Sequence, residues 1–278
     1  MTSDQIRLKV PGFAGSILHS LWHGIADFVT EVGLVTHFFG ASVRGLFAKP
    51  YRFSEIVAQM EFIGNKSVFI ISLTGLFAGM ALAYQIYIGF SLFNATNLTG
   101  PTVALSVTRE LGPVLTGLIV AARAGGAMAA RLGTMRVTEQ IDALEVMGVD
   151  SIQYLVAPRV LAAILCMPLL TGIFDFVSIM GAHWLCTGLL GLDSAIFWSK
   201  IGQWMDPIHI NEGLIKAAVF GLCFSVICCY RGFFTTGGAR GVGEATNRGV
   251  VISMVLIIVS DYYLAHMIRI YYRLSGLI

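Results

Sequence analysis

Two charged residues within a long apolar stretch are the feature of this sequence best able to do chemistry. Arg109 and Glu110 lie in the stretch 101–122, which carries no other charge. Inside a bilayer a charged side chain is costly unless it is paired or hydrated, so such residues mark candidate functional sites. Adjacent helical residues point in different directions, so each needs its own partner or a water-filled cavity. Pro113 also leaves a backbone carbonyl one turn earlier without its donor, which favours a kink.

Two interpretations of Arg109 and Glu110 stay open. In the first they form a polar floor to a cavity. In the second both snorkel to the nearby membrane surface. Gln85 is a second polar candidate, because it is the only side-chain amide in the apolar stretch 67–93. An amide there needs hydrogen bonds from a neighbouring helix or from a ligand, and both remain open.

Four further ionisable side chains fall in apolar stretches: Asp175, His183, Asp261 and His266. No two of them are one helical turn apart, so no pair shares a helix face at contact distance. We expect each to be a buried neutral or hydrogen-bonded group. The alternative is a proton relay, which would make the chain a proton-coupled secondary transporter.

The composition places these side chains in an integral membrane protein. Of 278 residues, 56% are hydrophobic and 12% are charged, whereas soluble chains average roughly 45–50% apolar and about 25% charged. The net charge of +2 gives no basic face for nucleic acid. The sequence has no CxxC pair, no GK[ST] phosphate loop and no HExxH or GxSxG motif. It therefore predicts an all-α membrane protein with no cofactor, no metal site and no enzymatic activity of its own.

Five apolar stretches are long enough to cross the roughly 30 Å hydrocarbon core as helices. They are residues 67–93, 101–122, 160–192, 213–230 and 250–272. Residues 12–48 are a weaker candidate, because histidines, acids and Arg44 interrupt their helical periodicity. We expect an amphipathic helix in the membrane interface there rather than a sixth span. Residues 193–205, with Trp198 and Trp204, are expected to form a short helix at the headgroup level.

The basic residues are unevenly divided between the two sets of connections. One set holds thirteen Lys and Arg: six in 1–66, four in 123–159 and three in 231–249. The other set holds four: none in 94–100, two in 193–216 and two after residue 268. The positive-inside rule places the first set, and with it the N-terminus, in the cytoplasm.

A short acidic amphipathic segment joins the second and third predicted spans. Its apolar residues are spaced by four, three and three, at Val137, Ile141, Leu144 and Met147. This spacing predicts one apolar face on a helix too short to cross a membrane, ended by Gly148. Its acidic residues disfavour binding to anionic lipid headgroups. Two interpretations stay open: a surface helix that packs on its own chain, and a coupling helix that fits a groove in a cytoplasmic partner, which we favour.

Several blocks of the sequence resemble the MlaE/YrbE-type permeases of MCE-linked ABC transporters. The blocks are RELGPV at 109–114, RAGGAMAARLGTMRVTEQIDALEVMGVD at 123–150, Pro158-Arg159, and GGARGVGEAT at 237–246 followed by Val250-Val251. The likeness extends over most of the chain after residue 50. Arg131 stands where relatives often carry an acidic residue.

The resemblance implies a single permease domain over 1–278 that forms a homodimer in a bacterial inner membrane. It implies a separate cytoplasmic ATPase bound through a coupling helix at 134–147, a periplasmic MCE-domain protein on the opposite face, and phospholipid or a related lipid as substrate. The implied lipid-binding residues are Leu82, Gln85, Arg109 and Glu110. The implied coupling residues are Thr134, Arg136, Glu139, Asp142, Leu144 and Met147.

Overall fold

The computed structural model describes residues 13–47 and 53–275, and over these ranges it is helical without a β-strand. Its α-helices are α1 (Phe13–Phe47), α2 (Phe53–Ser91), α3 (Thr99–Ser106), α4 (Gly112–Val120), α5 (Gly126–Val137), α6 (Gln140–Val146), α7 (Ala157–Gly188), α8 (Ser194–Trp204), α9 (Pro207–Phe233) and α10 (Gly238–Leu274). A 3-10 turn at Thr96–Leu98 precedes α3. Three π-helical turns, Val107–Leu111, Ala121–Gly125 and Ile152–Val156, precede α4, α5 and α7.

Five helical segments are long and apolar enough to cross a membrane, which confirms the predicted number of spans in the part of the chain that the structure describes. They are α2, the continuous segment Thr96–Val137 that contains α3 to α5, Ile152–Gly188, α9 and α10. Each begins earlier than the apolar stretch in the sequence, because helical turns that contain polar or charged residues extend it. Helix α2, for example, begins at Phe53 and carries Glu55, Glu61 and Lys66 in its first turns.

Successive spans alternate in direction, so the bundle has two ends. We call one the basic end: there Thr96–Val137 and α9 finish, α7 and α10 begin, and Arg231 and Arg248 lie. The other is the far end, where α2 and α7 finish and α8 lies.

Small residues let α2 and α7 pack closely. A Cβ atom on Gly79 would overlap the carbonyl oxygen of Ser178, and one on Gly181 would lie 2.7 Å from the carbonyl oxygen of Leu76. Ser178 Oγ donates a hydrogen bond to the carbonyl oxygen of Gly75 at 2.9 Å. The glycine pair Gly75 and Gly79 therefore serves packing within the chain, one of the uses typical of such pairs in membranes.

Another set of small residues packs the second span against α9 and α10. A Cβ atom on Gly213 would overlap the carbonyl oxygen of Thr108, and one on Gly126 would lie 3.2 Å from Val250 Cγ2. A Cβ atom on Gly232 would lie 2.5 Å from the carbonyl oxygen of Ala129. These contacts bring together the three helices that carry most of the charged residues inside the membrane.

The short helix expected after the third span is confirmed as α8. Asp193 caps it, because its Oδ1 accepts hydrogen bonds from the amides of Ala195 and Ile196 at 2.7 and 3.0 Å. The ring of Phe197 is buried against Gly100 at the start of the second span. Helix α8 is thereby fixed to the far end of the bundle.

Helix α1 packs against the basic end. Phe38 is buried with its ring centroid 5.7 Å from that of Phe233 and 5.9 Å from that of Phe234. Glu31 forms an ion pair with Arg231 at 2.5 Å. Residues 12 and 48 of the predicted interfacial helix lie outside the described residues. Because α1 is not among the five segments apolar enough to span, its interfacial position stays the prediction that its contacts favour.

Candidate functional site

Five charged side chains from three spans meet inside the bundle, and we call them the ionic cluster. They are Arg109 and Glu110 from the second span, Glu212 and Lys216 from α9, and Asp261 from α10. Arg109 Nε lies 3.0 Å from Glu212 Oε2. Lys216 Nζ lies 2.7 Å from Glu110 Oε2 and 3.2 Å from Asp261 Oδ1. Arg109 and Glu110 thus have separate partners, as their adjacency on a helix requires.

A π turn and a proline direct the two charges of the second span toward α9. The amide of Gly112 donates to the carbonyl oxygen of Val107, five residues earlier. Pro113 has no N–H, so the carbonyl of Arg109 loses its helical donor, as the sequence predicts. Lys216 Nζ donates to that carbonyl at 3.0 Å. A side chain of another helix therefore satisfies the backbone group that the proline leaves free.

The cluster lies well inside the membrane. The helical rise along α9 from Arg231 to Lys216 is about 22 Å, and along α10 from Arg248 to Asp261 about 20 Å, at about 1.5 Å per residue. A hydrocarbon layer roughly 30 Å thick that begins at the level of Arg231 and Arg248 would hold the cluster in its further half.

Sequence reasoning missed Glu212 and misplaced Lys216. Lys216 is fully buried rather than part of a connection at the far end, and Glu212 is almost as buried. The available signal was their spacing, an acid and a base four residues apart at the start of an apolar stretch. Without Lys216 the basic residues divide thirteen to three, so the predicted orientation is unchanged.

The structure does not join Gln85 to the ionic cluster. Gln85 is exposed on α2 and makes no hydrogen bond with the described residues. Leu82, one turn earlier, is half-buried and packs against the core. Of the four residues predicted to bind lipid, only Arg109 and Glu110 therefore meet within one chain.

The remaining ionisable residues do not form a relay across the described part of the bundle. Asp175 is buried against Gly112, and its Oδ1 accepts no hydrogen bond there. His183 Nε2 lies 2.9 Å from Ser194 Oγ at the far end, and His266 is exposed. Only Asp261 belongs to the ionic cluster. These groups thus form no continuous hydrogen-bonded path among the described residues.

The segment between the second and third spans is bent rather than one continuous helix. Helix α5 ends at Val137, and Glu139 adopts a left-handed conformation with φ +58° before α6 begins. The expectation of one apolar face from Val137 to Met147 is therefore wrong. Ile141 is buried in the core and Leu144 packs against it, while Met147 is exposed.

One ion pair holds the bend, and one side-chain hydrogen bond holds the turn that follows α6. Arg136 Nη1 pairs with Asp142 Oδ1 at 2.5 Å across the bend, and Ser151 Oγ donates to Glu145 Oε1 at 2.8 Å beyond α6. Gly148, with φ +74°, ends α6 as predicted, because its amide and the next one bond back to the last turn. Of the other implied coupling residues, Thr134 is exposed at the end of α5.

Arg131 forms a cation–π contact with Phe62 at the basic end. Its guanidinium lies 4.1 Å from the ring centroid of Phe62, and that of Arg123 lies 5.1 Å away. Arg123 Nη1 also donates to the carbonyl oxygen of Phe62 at 2.8 Å. Neither arginine has a carboxylate within 4.0 Å among the described residues, so cation–π contacts take the place of an ion pair.

Five spans around a cluster of paired charges define a polytopic helical membrane protein, of the kind in which charges inside the membrane serve transport. Residues 56–267 match the family model described as Permease MlaE. The chain therefore belongs to the MlaE permease family, which confirms the resemblance stated from its motifs.

Named relatives agree with this assignment. The chain is 43% identical over 251 residues to a probable ABC transporter permease protein of Rickettsia prowazekii, covering 90% of this chain and 97% of the relative. It is 36% identical over 252 residues to the intermembrane phospholipid transport system permease protein MlaE of Haemophilus influenzae, covering 86% and 97%. It is also 41% identical over 207 residues to the chloroplastic protein TRIGALACTOSYLDIACYLGLYCEROL 1 of Arabidopsis thaliana, covering 74% of this chain and 59% of that protein.

Proposed function

We propose that this chain is the permease subunit of an ABC-type transporter in a bacterial inner membrane. It moves phospholipid between that membrane and a periplasmic MCE-domain protein. The observation that carries the proposal is the ionic cluster, set among apolar helices in a chain of the MlaE permease family. A phospholipid has a polar head and apolar tails, so its site needs a few polar groups at one level beside an apolar wall.

Arg109 and Glu110 supply that polar level, because they are the members of the cluster with the most exposed side chains. The apolar wall comes from α2, which carries Leu82, Gln85 and the exposed Phe77. A second copy of the chain closes the site, as the resemblance to the permease family implies. The MCE-domain protein binds at the far end, beside α8.

A separate ATPase drives the transport, because the chain has no phosphate-binding GK[ST] loop. It binds the bent segment around α6, which lies on the cytoplasmic side together with the N-terminus. Val146 and Met147 are strongly exposed apolar side chains on that segment, and acidic residues surround them. The shape of the segment depends on Arg136, Glu139, Asp142 and Leu144. Thr134 borders the segment at the end of α5. A rigid bend of this kind can transmit a conformational change of the ATPase to the second and third spans.

The double replacement Val146→Asp and Met147→Asp should abolish lipid transport without unfolding the membrane part. Both side chains are exposed, so the change costs the fold little, but it places two charges in the surface that meets the ATPase. The measurement is co-purification of the ATPase subunit together with lipid export in cells. We expect both to fall by at least about tenfold, which corresponds to about 1.4 kcal/mol of binding energy.

The control is Leu189→Asp, which replaces an equally exposed apolar residue beyond the end of α7 at the far end. It should leave ATPase binding unchanged. Glu139→Lys and Leu144→Asp are further variants of the same segment, and both should reduce coupling. Normal ATPase binding and normal export in all variants of the segment would remove its coupling role.

A further inference from the structure

The ionic cluster contains more acids than bases. Arg109 is matched by Glu212, whereas Lys216 is shared between Glu110 and Asp261. No other Lys, Arg or His of the described residues lies within 4.0 Å of these three carboxylates. With every member ionised, the cluster carries one negative charge that the described residues do not balance.

The most exposed side chain of the cluster is an acid. The Lys216 side chain is 0% exposed and that of Glu212 3%, so this cation and this acid are enclosed. The side chain of Glu110 is 41% exposed, compared with 25% for Arg109 and 18% for Asp261. A ligand that reaches the cluster therefore meets the Glu110 carboxylate first.

Both cations of the cluster already face carboxylates of the same cluster. Lys216 Nζ donates to Glu110 Oε2 and to the carbonyl oxygen of Arg109, and it also faces Asp261. Arg109 Nε faces Glu212. Neither Asp261 Oδ1 nor Arg109 Nε makes a well-aligned hydrogen bond with the described residues, although each lies within 3.2 Å of an oppositely charged group. The cluster thus has a spare carboxylate acceptor, and the positive charge of each of its two cations is already paired with a carboxylate.

We infer that the ionic cluster selects lipids whose headgroup carries an ammonium group, and that Glu212 sets this preference by neutralising Arg109. The inference rests on the proposed lipid transport. An ammonium has three donors and no acceptor, which suits the spare carboxylate oxygens of Glu110 and Asp261. An acidic headgroup without an ammonium adds a second unbalanced negative charge, and in a poorly solvated site that repulsion discriminates strongly.

The test measures which lipids the full-length protein retains. The protein is purified in mild detergent with its bound partners and equilibrated with vesicles of equal parts phosphatidylethanolamine and phosphatidylglycerol, with identical acyl chains. Mass spectrometry then gives the ratio of the two retained lipids. We expect the ethanolamine lipid to be enriched about fivefold, which corresponds to ~1 kcal/mol at 25 °C.

Two variants separate the role of Glu212 from that of the exposed carboxylate. Glu212→Gln keeps the side-chain shape but removes the charge that neutralises Arg109, so the ratio should fall to about one or invert. Glu110→Gln leaves the contact of Arg109 with Glu212 intact and should lower the enrichment by removing the exposed acid. The matched control is Glu244→Gln, since Glu244 is exposed at the basic end and pairs, among the described residues, only with Arg240. It should keep the native ratio.

The outcomes divide clearly. Equal retention of the two lipids by the native protein, as expected of a cluster that balances its charge with a proton, overturns the inference. Enrichment of phosphatidylglycerol overturns it as well, and so does a native ratio in both cluster variants. Retention of no lipid in any sample contradicts the proposed lipid transport itself. Normal gel-filtration profiles of the variants exclude misfolding as the cause of a changed ratio.

Discussion

Replacing Lys216 by methionine should lower the free energy of unfolding by about 3–5 kcal/mol, because it leaves two carboxylates in the membrane without their cation. Lys216 is fully buried, lies within 3.2 Å of both Glu110 and Asp261, and also bonds the carbonyl that Pro113 leaves free. Methionine retains much of the volume, so the loss reports charge and hydrogen bonding rather than a cavity. Thermal or denaturant unfolding in detergent is the measurement.

The control is Lys200→Met on α8, where the lysine is only partly buried and bonds Gln203. That change should cost less than about 0.5 kcal/mol, as most surface substitutions do. Combining Lys216→Met with Asp261→Asn should recover part of the stability, because one of the two unpaired charges is removed. Equal stability of Lys216→Met and Lys200→Met would show that the buried lysine does not hold the cluster together.

The replacement Gly79→Ala should also be strongly destabilising, at about 1–3 kcal/mol. The added methyl group would overlap the carbonyl oxygen of Ser178, which belongs to backbone and cannot rotate away. Helices α2 and α7 would have to separate along the interface that Gly75 and Gly181 also keep close. The unfolding midpoint in detergent measures the effect.

Gly89→Ala on the same helix is the matched control, because a Cβ atom there meets nothing within 4 Å. It should be neutral or stabilising by up to about 1 kcal/mol, since alanine favours a helix more than glycine does. If Gly79→Ala were as stable as Gly89→Ala, the close packing of α2 on α7 would be wrong.

The spans were predictable because a bilayer leaves the chain few choices. Backbone groups in hydrocarbon must be satisfied within a helix, so uncharged runs such as 67–93 reveal the spans directly. The helix end at Gly148 was predictable for a similar reason, because glycine accepts the left-handed conformation that closes a helix. Both depend on local chemistry that a short window of sequence contains.

The partners within the ionic cluster could not be read from the sequence. Arg109 and Glu212 lie on different spans, and close packing such as that of Gly213 against Thr108 brings their helices to contact distance. The bend at Glu139 was also hidden, because glutamate rarely adopts a positive φ and the apolar spacing continues across it. Tertiary packing around Ile141 decides the local conformation there.

The most direct measurement is lipid transfer from sealed proteoliposomes that contain the full-length chain. Labelled phosphatidylethanolamine is followed as it passes to acceptor vesicles in the presence of the MCE-domain protein. The ATPase subunit that co-purifies with the chain is present or absent, and the nucleotide is ATP or a non-hydrolysable analogue. We expect transfer only when the ATPase and hydrolysable ATP are both present. Transfer by the chain alone without nucleotide, or transfer driven by a proton gradient in its place, would contradict the assignment of this chain as a permease that an outside ATPase drives.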